Sequence, residues 1–544
     1  MIERLPFLWP EITLFIATCV VMVVGLSPTL KTRKLSAVIA GIGLVVAGIL
    51  AAVSQPATHT AEGQLLLPAM VPYAKVLIAA IGLLLLLLMA GTVDRLEETA
   101  IAIGRRAFDP LRSNRAEFYA FFLFSLTGLM LCADADDLIW LFLALELTSL
   151  PTYIMVTIST ARNRSREAGV KYFFLGALGA AVFLYGFALV YGGTGSTNLN
   201  DIAVSFREHG INSIAIAGVL LSLIGLCFKI AAVPMHFYTA DVYEGAAPQV
   251  SAFLAFVPKT AGFIGILLLT ATMGWHFLPG HHAGPLLGVY DGQPHQLPEV
   301  VRLTLWVNAA LTMTVGNVLA ILQSSVKRIL AYSSIAHSGY MLVGVIAGPG
   351  DGSFTQNGLA AVLFYLMAYG LMNLGCFAVL AALERRPGPD GEPREIETVS
   401  DLRGLCFAHP ALGWTMVLCA LSLLGFPPLL GFFGKLPLFT AAISAGEIPL
   451  VVVLGVNSAI AAFYYLRIAF APLLEQPDAS MEPAQLSPFR SRRVAGMIAA
   501  AAVVVLAIGG YGLLRPIMVR ATEAGAYMAG PQARLGALDA PATR

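Results

Sequence analysis

Residues 226–263 read LCFKIAAVPMHFYTADVYEGAAPQVSAFLAFVPKTAGF. An apolar run carrying Lys229 stops at Pro234, a polar patch runs from His236 to Glu244, and a second apolar run carries Lys259. Apolar runs of roughly 20 residues cross a bilayer core, whereas the patch between these two is too polar to lie in lipid. An ionisable side chain in the bilayer core costs at least ~2.5–3.5 kcal/mol, so such groups face a bundle interior or a wet cavity and mark an ion or proton path. Two lysines flanking a proline-interrupted segment therefore point to a polytopic helical protein that moves charge.

The rest of the chain extends this pattern. Of 544 residues, 58% are hydrophobic and 12% charged, half the charged share of a soluble domain at roughly 25%. Apolar length predicts about fourteen spans, at 8–27, 35–53, 73–92, 117–133, 138–158, 168–192, 213–233, 248–273, 301–322, 328–347, 357–383, 411–445, 448–472 and 494–514. The twelfth is too long for one straight span and contains Pro427-Pro428, so it reads as a broken helix, as does the seventh at Pro234. The expected class is all-α, with N-terminal helices in 1–116, two five-helix units in 117–273 and 301–472, and a loop, a last helix and a tail in 473–544. Five is odd, so the consecutive units insert with opposite topology, and matching helix breaks in two inverted halves point to an ion site.

Basic residues cluster in alternate loops: Lys31, Arg33 and Lys34; Arg105, Arg106 and Arg112; Arg162, Arg164 and Arg166; Arg385, Arg386 and Arg394; Arg490, Arg492 and Arg493. The positive-inside rule puts those loops in the cytoplasm and both termini on the opposite, periplasmic side of a bacterial inner membrane. The first apolar run, Leu8 to Leu26, is long enough to span and lacks a following cleavage signature, so no cleaved leader is expected. The net charge of +1 gives no reason to expect nucleic acid. The six cysteines are scattered without a CxxC pair, and no Gly-rich nucleotide motif is present, so neither an iron–sulfur centre nor a flavin is expected in this chain. His276, His281, His282 and His295 share the loop 274–300 without fixed spacing, which reads as a solvated loop rather than a metal site.

Four charges lie inside apolar runs. Glu146 in LFLALELTSLP sits roughly 12 Å into its segment at 1.5 Å per residue, too deep to snorkel; its alternatives are helix glue or a proton-handling carboxylate. Lys259 follows Pro258, which lacks an N–H and leaves the carbonyl of Leu254 without its helical partner, a gap that suits water. Burial disfavours the charged form of a lysine, which lets such a group both take and give a proton near neutral pH. Lys229 lies five residues before Pro234, so snorkelling competes with pairing to Glu146, the carboxylate at similar depth. Lys435 in GFPPLLGFFGKLPLF lies beside the second break, where unwound backbone can hold water. His337 in AYSSIAHSGYML is a further path candidate, because an unperturbed imidazole titrates near neutral pH. Asn308, Asn317, Asn373, Asn457 and Tyr464 read as glue between helices or as path lining.

Several of these runs carry a family resemblance. Residues 116–155, 166–186, 228–263, 324–341, 425–439 and 457–468 closely resemble the antiporter-like subunit N family of respiratory complex I, the proton-pumping NADH–quinone oxidoreductase. DVYEG, Asp241–Gly245, separates that family from its L and M relatives and from multi-subunit sodium/proton antiporters, which share the Glu and Lys pattern. The resemblance implies fourteen transmembrane helices with two inverted five-helix repeats. It implies that Glu146 and Lys229 form the coupled pair of a cytoplasmic half-channel, that Lys259 is the central carrier and Lys435 the exit lysine, and that His337, Lys327 and His236 are path or coupling residues. NAD, FMN, iron–sulfur clusters and quinone would belong to partner subunits, and the partners would be other complex I membrane subunits and the lipid bilayer. Thr239-Ala240 and Ala247-Pro248-Gln249 depart from the family pattern around the break without removing a charge. A cation/proton antiporter without redox input is the competing expectation, and a non-conducting structural subunit is disfavoured by the cost of the buried charges.

Overall fold

The computed structural model describes residues 7–53, 65–89, 109, 113–160, 162–275, 297–350, 353–384, 395–475, 485–486 and 510–525. In chain order the helices are α1 Trp9–Gly25, α2 Leu30–Arg33, α3 Leu35–Val53, α4 Met70–Met89, α5 Arg115–Ala133, α6 Leu138–Ile158 and α7 Asn163–Thr194. They continue as α8 Leu199–His209, α9 Ser213–Ile230, α10 Thr239–Gly245, α11 Pro248–Met273, α12 Glu299–Ile321, α13 Val326–Ala347 and α14 Gly358–Ala382. The last are α15 Leu405–Ala408, α16 Pro410–Leu424, α17 Leu430–Ser444, α18 Ile448–Leu474 and α19 Gly510–Ala524. Eleven helical stretches among the described residues are long and apolar enough to cross a membrane. With α1 and the broken pair α16–α17 they account for every expected span through the thirteenth. The expected fourteenth, 494–514, lies mostly outside the described residues, as do the four histidines of the 274–300 loop.

Local chemistry sets the helix ends. Asp137 caps α6 by accepting from the Ile139 amide at 2.7 Å. Asn212, Ser325 and Asn357 cap α9, α13 and α14 in the same manner, each satisfying an amide that the first turn leaves without a partner. Pro248 and Pro410 open α11 and α16, where a missing N–H costs nothing.

Three boundaries differ from the apolar reading. α7 begins at Asn163 rather than near 168, because its exposed first turn carries Arg164, Arg166 and Glu167 and so is not apolar. α9 ends at Ile230 rather than 233, because Ala231 adopts a left-handed conformation (φ 57°) ahead of the cis Val233–Pro234 peptide. α8 is an amphipathic helix that no apolar run announced. The only ladder among the described residues pairs Leu383–Glu384 with Gln485–Leu486, so the class remains all-α.

The two breaks are built alike. α16 ends at Leu424, Gly425 takes a left-handed conformation (φ 91°), the Pro427–Pro428 peptide is cis, and α17 follows. Burial then sorts the helices by layer. α11 and α14 are buried around their whole circumference and α13 nearly so, whereas α3, α7, α12 and α18 leave most of their surface to the surroundings. Lys259 and His337 thus ride on central helices, and the two breaks flank them.

Candidate functional site

Glu146 and Lys229, on α6 and α9, meet across the bundle. The Lys229 ammonium lies 2.9 Å from Glu146 Oε1 and donates to Ser149 Oγ at 2.6 Å, one turn along the same helix. Its side chain is 1% exposed, so it reaches no interface, while Glu146 is 17% exposed and keeps one edge toward the surroundings. Of the two readings left open for Lys229, pairing is the one the structure takes. The ammonium also stands 5.5 Å from the Phe183 ring centroid.

The first break leaves backbone groups that α12 and α13 satisfy. Asn308 donates to the Val233 carbonyl at 2.5 Å, and the Val233 amide donates to Thr312 Oγ1 at 3.0 Å. Ser338 on α13 donates to the Ile230 carbonyl at 2.5 Å. Tyr238 donates to the Phe228 carbonyl at 2.8 Å and stacks on both Phe228 and Tyr172. Asn308 is thereby part of the break's framework.

Lys259 sits on the far side of the break. Its ammonium donates to the Ser334 carbonyl at 2.5 Å and to Ser338 Oγ at 2.6 Å, and is 2% exposed. α11 reaches α9 through Gly262, where an added Cβ would stand 2.8 Å from Lys229 Cβ and 2.7 Å from Ile230 Cγ2. Between the two lysines a small cavity is lined by Tyr172, Tyr238, Tyr243, Leu254 and Pro258, with Lys229 and Lys259 both on its wall. It opens beside the Leu254–Pro258 turn, where proline removes a helical hydrogen bond.

His337 lies one layer further on, fully buried, with Nδ1 2.6 Å from the Tyr365 hydroxyl and Nε2 2.7 Å from the Tyr465 hydroxyl. Tyr465 shares a hydrogen bond with Ser333. A neutral imidazole has one donor and one acceptor nitrogen, so the ring accepts from one of the two hydroxyls and donates to the other. Lys435 closes the row: its ammonium donates to the Leu424 carbonyl at 2.8 Å and lies 5.0 Å from the Tyr340 ring centroid. A cation at the last carbonyl of the half-helix α16 meets both an unsatisfied acceptor and the negative end of the helix dipole.

Lys327 stands apart from this row, at the start of α13, donating to the Ala246 carbonyl at 2.9 Å and to Glu395 Oε2 at 3.0 Å. His236 lies half-buried in the turn between α9 and α10. Among the described residues no group of three or more His, Cys, Asp and Glu is placed to hold a metal ion.

The family described as "NADH:quinone oxidoreductase/Mrp antiporter, TM" matches residues 135–279 and 293–461. NADH-quinone oxidoreductase subunit N of Trichlorobacter lovleyi is 40% identical over 371 residues, covering 68% of this chain and 70% of that protein. The chain belongs to the subunit N family of NADH–quinone oxidoreductase. The subunit N of Alkalilimnicola ehrlichii extends the match to 92% of this chain and 93% of its own length at 33% identity. A chain of respiratory complex I from Thermus thermophilus with bound aureothin superposes with a TM-score of 0.71 at 30% identity, covering 95% of this chain and all of that one. As a subunit N, the chain is a multi-pass, proton-translocating membrane subunit of the oxidoreductase.

Four residues in the structure carry no signal in the sequence. Ser149 binds Lys229, yet serine is ordinary glue in membrane helices. Tyr365 and Tyr465 flank His337, yet tyrosine in an apolar run carries no charge penalty to betray it. Lys75 is 2% exposed and lies near the start of α4, where a lysine ordinarily reaches water.

Proposed function

We propose that protons cross this chain along the row Glu146, Lys229, Lys259, His337 and Lys435, driven by electron transfer from NADH to quinone in partner subunits. NAD, FMN, iron–sulfur clusters and quinone belong to those partners, and other antiporter-like and small membrane subunits transmit the energy by contact. The five-helix units 117–273 and 301–472 each supply one break, and the basic loops face the cytoplasm of a bacterial inner membrane with both termini periplasmic. Lys327 and His236, outside the row, are assigned to coupling at the mouth and the break.

The observation that carries this reading is the Glu146–Lys229 ion pair at 2.9 Å, opening onto a cavity that Lys259 also lines. Removing one partner of a buried pair costs about 3–5 kcal/mol. When a neighbouring subunit draws Glu146 away, the charged form of Lys229 loses that support and a proton passes through the cavity to Lys259. Ser338, His337 and its two tyrosines lead on to Lys435, beside the second break. Two relatives bearing the name NADH-quinone oxidoreductase subunit N support the redox-driven reading over cation/proton exchange.

The test is Lys259→Ala in the intact complex in inverted vesicles. Pumping and coupled quinone reduction should fall while the complex still assembles; full pumping in that variant would sink the proposal. Sodium-dependent proton flux without NADH would favour the antiporter instead.

A further inference from the structure

Away from the lysine row, three charged groups from three helices meet in the interior. The Lys75 ammonium on α4 lies 2.9 Å from Glu11 Oε1 on α1 and 2.7 Å from Asp134 Oδ2 at the end of α5. Its hydrogen bond goes to the Phe7 carbonyl at 2.9 Å. The side chains of Lys75, Glu11 and Asp134 are 3%, 4% and 10% exposed. No other charged side chain among the described residues reaches the cluster.

The count does not balance. Among the described residues two carboxylates surround one ammonium, leaving a net negative charge in a nearly dry site, which burial strongly disfavours. The hydrogen bonding does not balance either. Glu11 Oε1 and Asp134 Oδ2 face the ammonium at 2.9 and 2.7 Å, whereas Glu11 Oε2 is buried with no hydrogen-bond partner among the described residues. Both carboxyls touch the same ammonium, so they lie within a few ångström of each other, and one proton placed between them removes both deficits. It neutralises the excess charge and supplies the donor that Glu11 Oε2 lacks.

We propose that Glu11, Lys75 and Asp134 form a proton-binding site separate from the lysine row, in which one carboxyl is an acid donating to the other carboxylate. Asp134 is the most exposed of the three, so the proton is taken from and returned to the surroundings there: the Asp134 carboxylate gains it to become an acid, with no other bond made or broken. The N-termini of α1 and α4 and the C-terminus of α5 meet at this point, so the site lies at the end of the bundle away from the basic loops. In the orientation proposed above, that is the periplasmic side.

Infrared difference spectra of the intact complex in lipid, with exchange from H2O to D2O, test this without reference to pumping. A protonated-carboxyl band is expected that vanishes in Asp134→Asn and in Glu11→Gln alike, because either change leaves one carboxylate facing one ammonium. In Asp134→Glu, which keeps the acid, the band should persist at a shifted frequency, and this variant decides the matter if the neutral ones fail to assemble. A spectrum identical to wild type in all variants overturns the proposal. So does a band that appears only when sodium is replaced by choline, which would make the occupant a metal cation. NADH–quinone reductase activity of the variants should stay at the wild-type level.

Discussion

Lys259 donates to the hydroxyl of Ser338 at 2.6 Å, and that same hydroxyl donates to the carbonyl of Ile230 at 2.5 Å. The ammonium in the middle of the bundle is therefore tied, through one side chain, to the last turn of the helix that carries Lys229. A change in the charge of Lys259 is felt at the first break, and a movement of the break is felt at Lys259. Ser338→Ala removes an acceptor and a donor together and leaves buried polar groups unmatched, at about 1–3 kcal/mol. Proton-pumping assays on vesicles should show a several-fold loss in this variant and near-normal transport in Ser338→Thr, which keeps the hydroxyl.

Glu146→Gln leaves the Lys229 ammonium with Ser149 and no counter-charge at 1% exposure. The destabilisation should be about 3–5 kcal/mol, and the double variant Glu146→Gln with Lys229→Met should recover most of it, because replacing a buried pair with uncharged groups is close to neutral. Thermal unfolding of the purified complex reads this difference, and pumping should remain lost in the double variant. Equal stability of the single and double variants would contradict the pairing.

Gly262 is where α11 and α9 touch. Gly262→Val forces a branched side chain against Lys229 Cβ and Ile230, an overpacking cost of about 1–3 kcal/mol, and moves Lys229 relative to Glu146. Pumping should fall further than quinone reduction, since the substitution strains the pair without touching a redox partner. Parallel measurement of the two rates in one vesicle preparation checks this.

Asp241, outside the membrane-spanning helices, receives Arg328 Nη1 at 2.8 Å and Lys171 Nζ at 3.1 Å. Partial burial pushes its carboxyl up, but hydrogen bonds from Arg328 and Lys171, with their charges, outweigh this and hold it below the usual carboxylate range. A carboxyl with a depressed folded-state value contributes stability that is present above its unfolded value and lost as pH falls through the folded one. Wild type should therefore lose stability on acidification through the acid range faster than Asp241→Asn does, with the two converging at low pH. The effect should be small, as the pair is part-exposed and screened by solvent, and added salt should shrink it.

The charges were legible because they break a rule: Glu146, Lys229, Lys259 and Lys435 are costly in an apolar run wherever the run is folded. The prolines were legible for a similar reason, since a helix cannot pass Pro234 or Pro427-Pro428 unbroken. What pairs with what was not. Glu146 and Lys229 lie 83 residues apart, and hydropathy says nothing of register between helices. Lys75 was hidden by its place near a helix start, where a lysine ordinarily reaches water, and Glu11 by its place in the first turn of α1. The cap at Ala231 was hidden too, because alanine gives no hint of a left-handed conformation that glycine at 425 announces.

The full enclosure of α11 and α14 has an electrical consequence. A charge resting on Lys259 is wrapped in a sleeve of protein on every side but the ends of its route, so it cannot drain sideways into lipid and short the membrane potential. The sleeve works as insulation does around a conductor: it leaves the amount of current to the drive, and it fixes where the current is allowed to go.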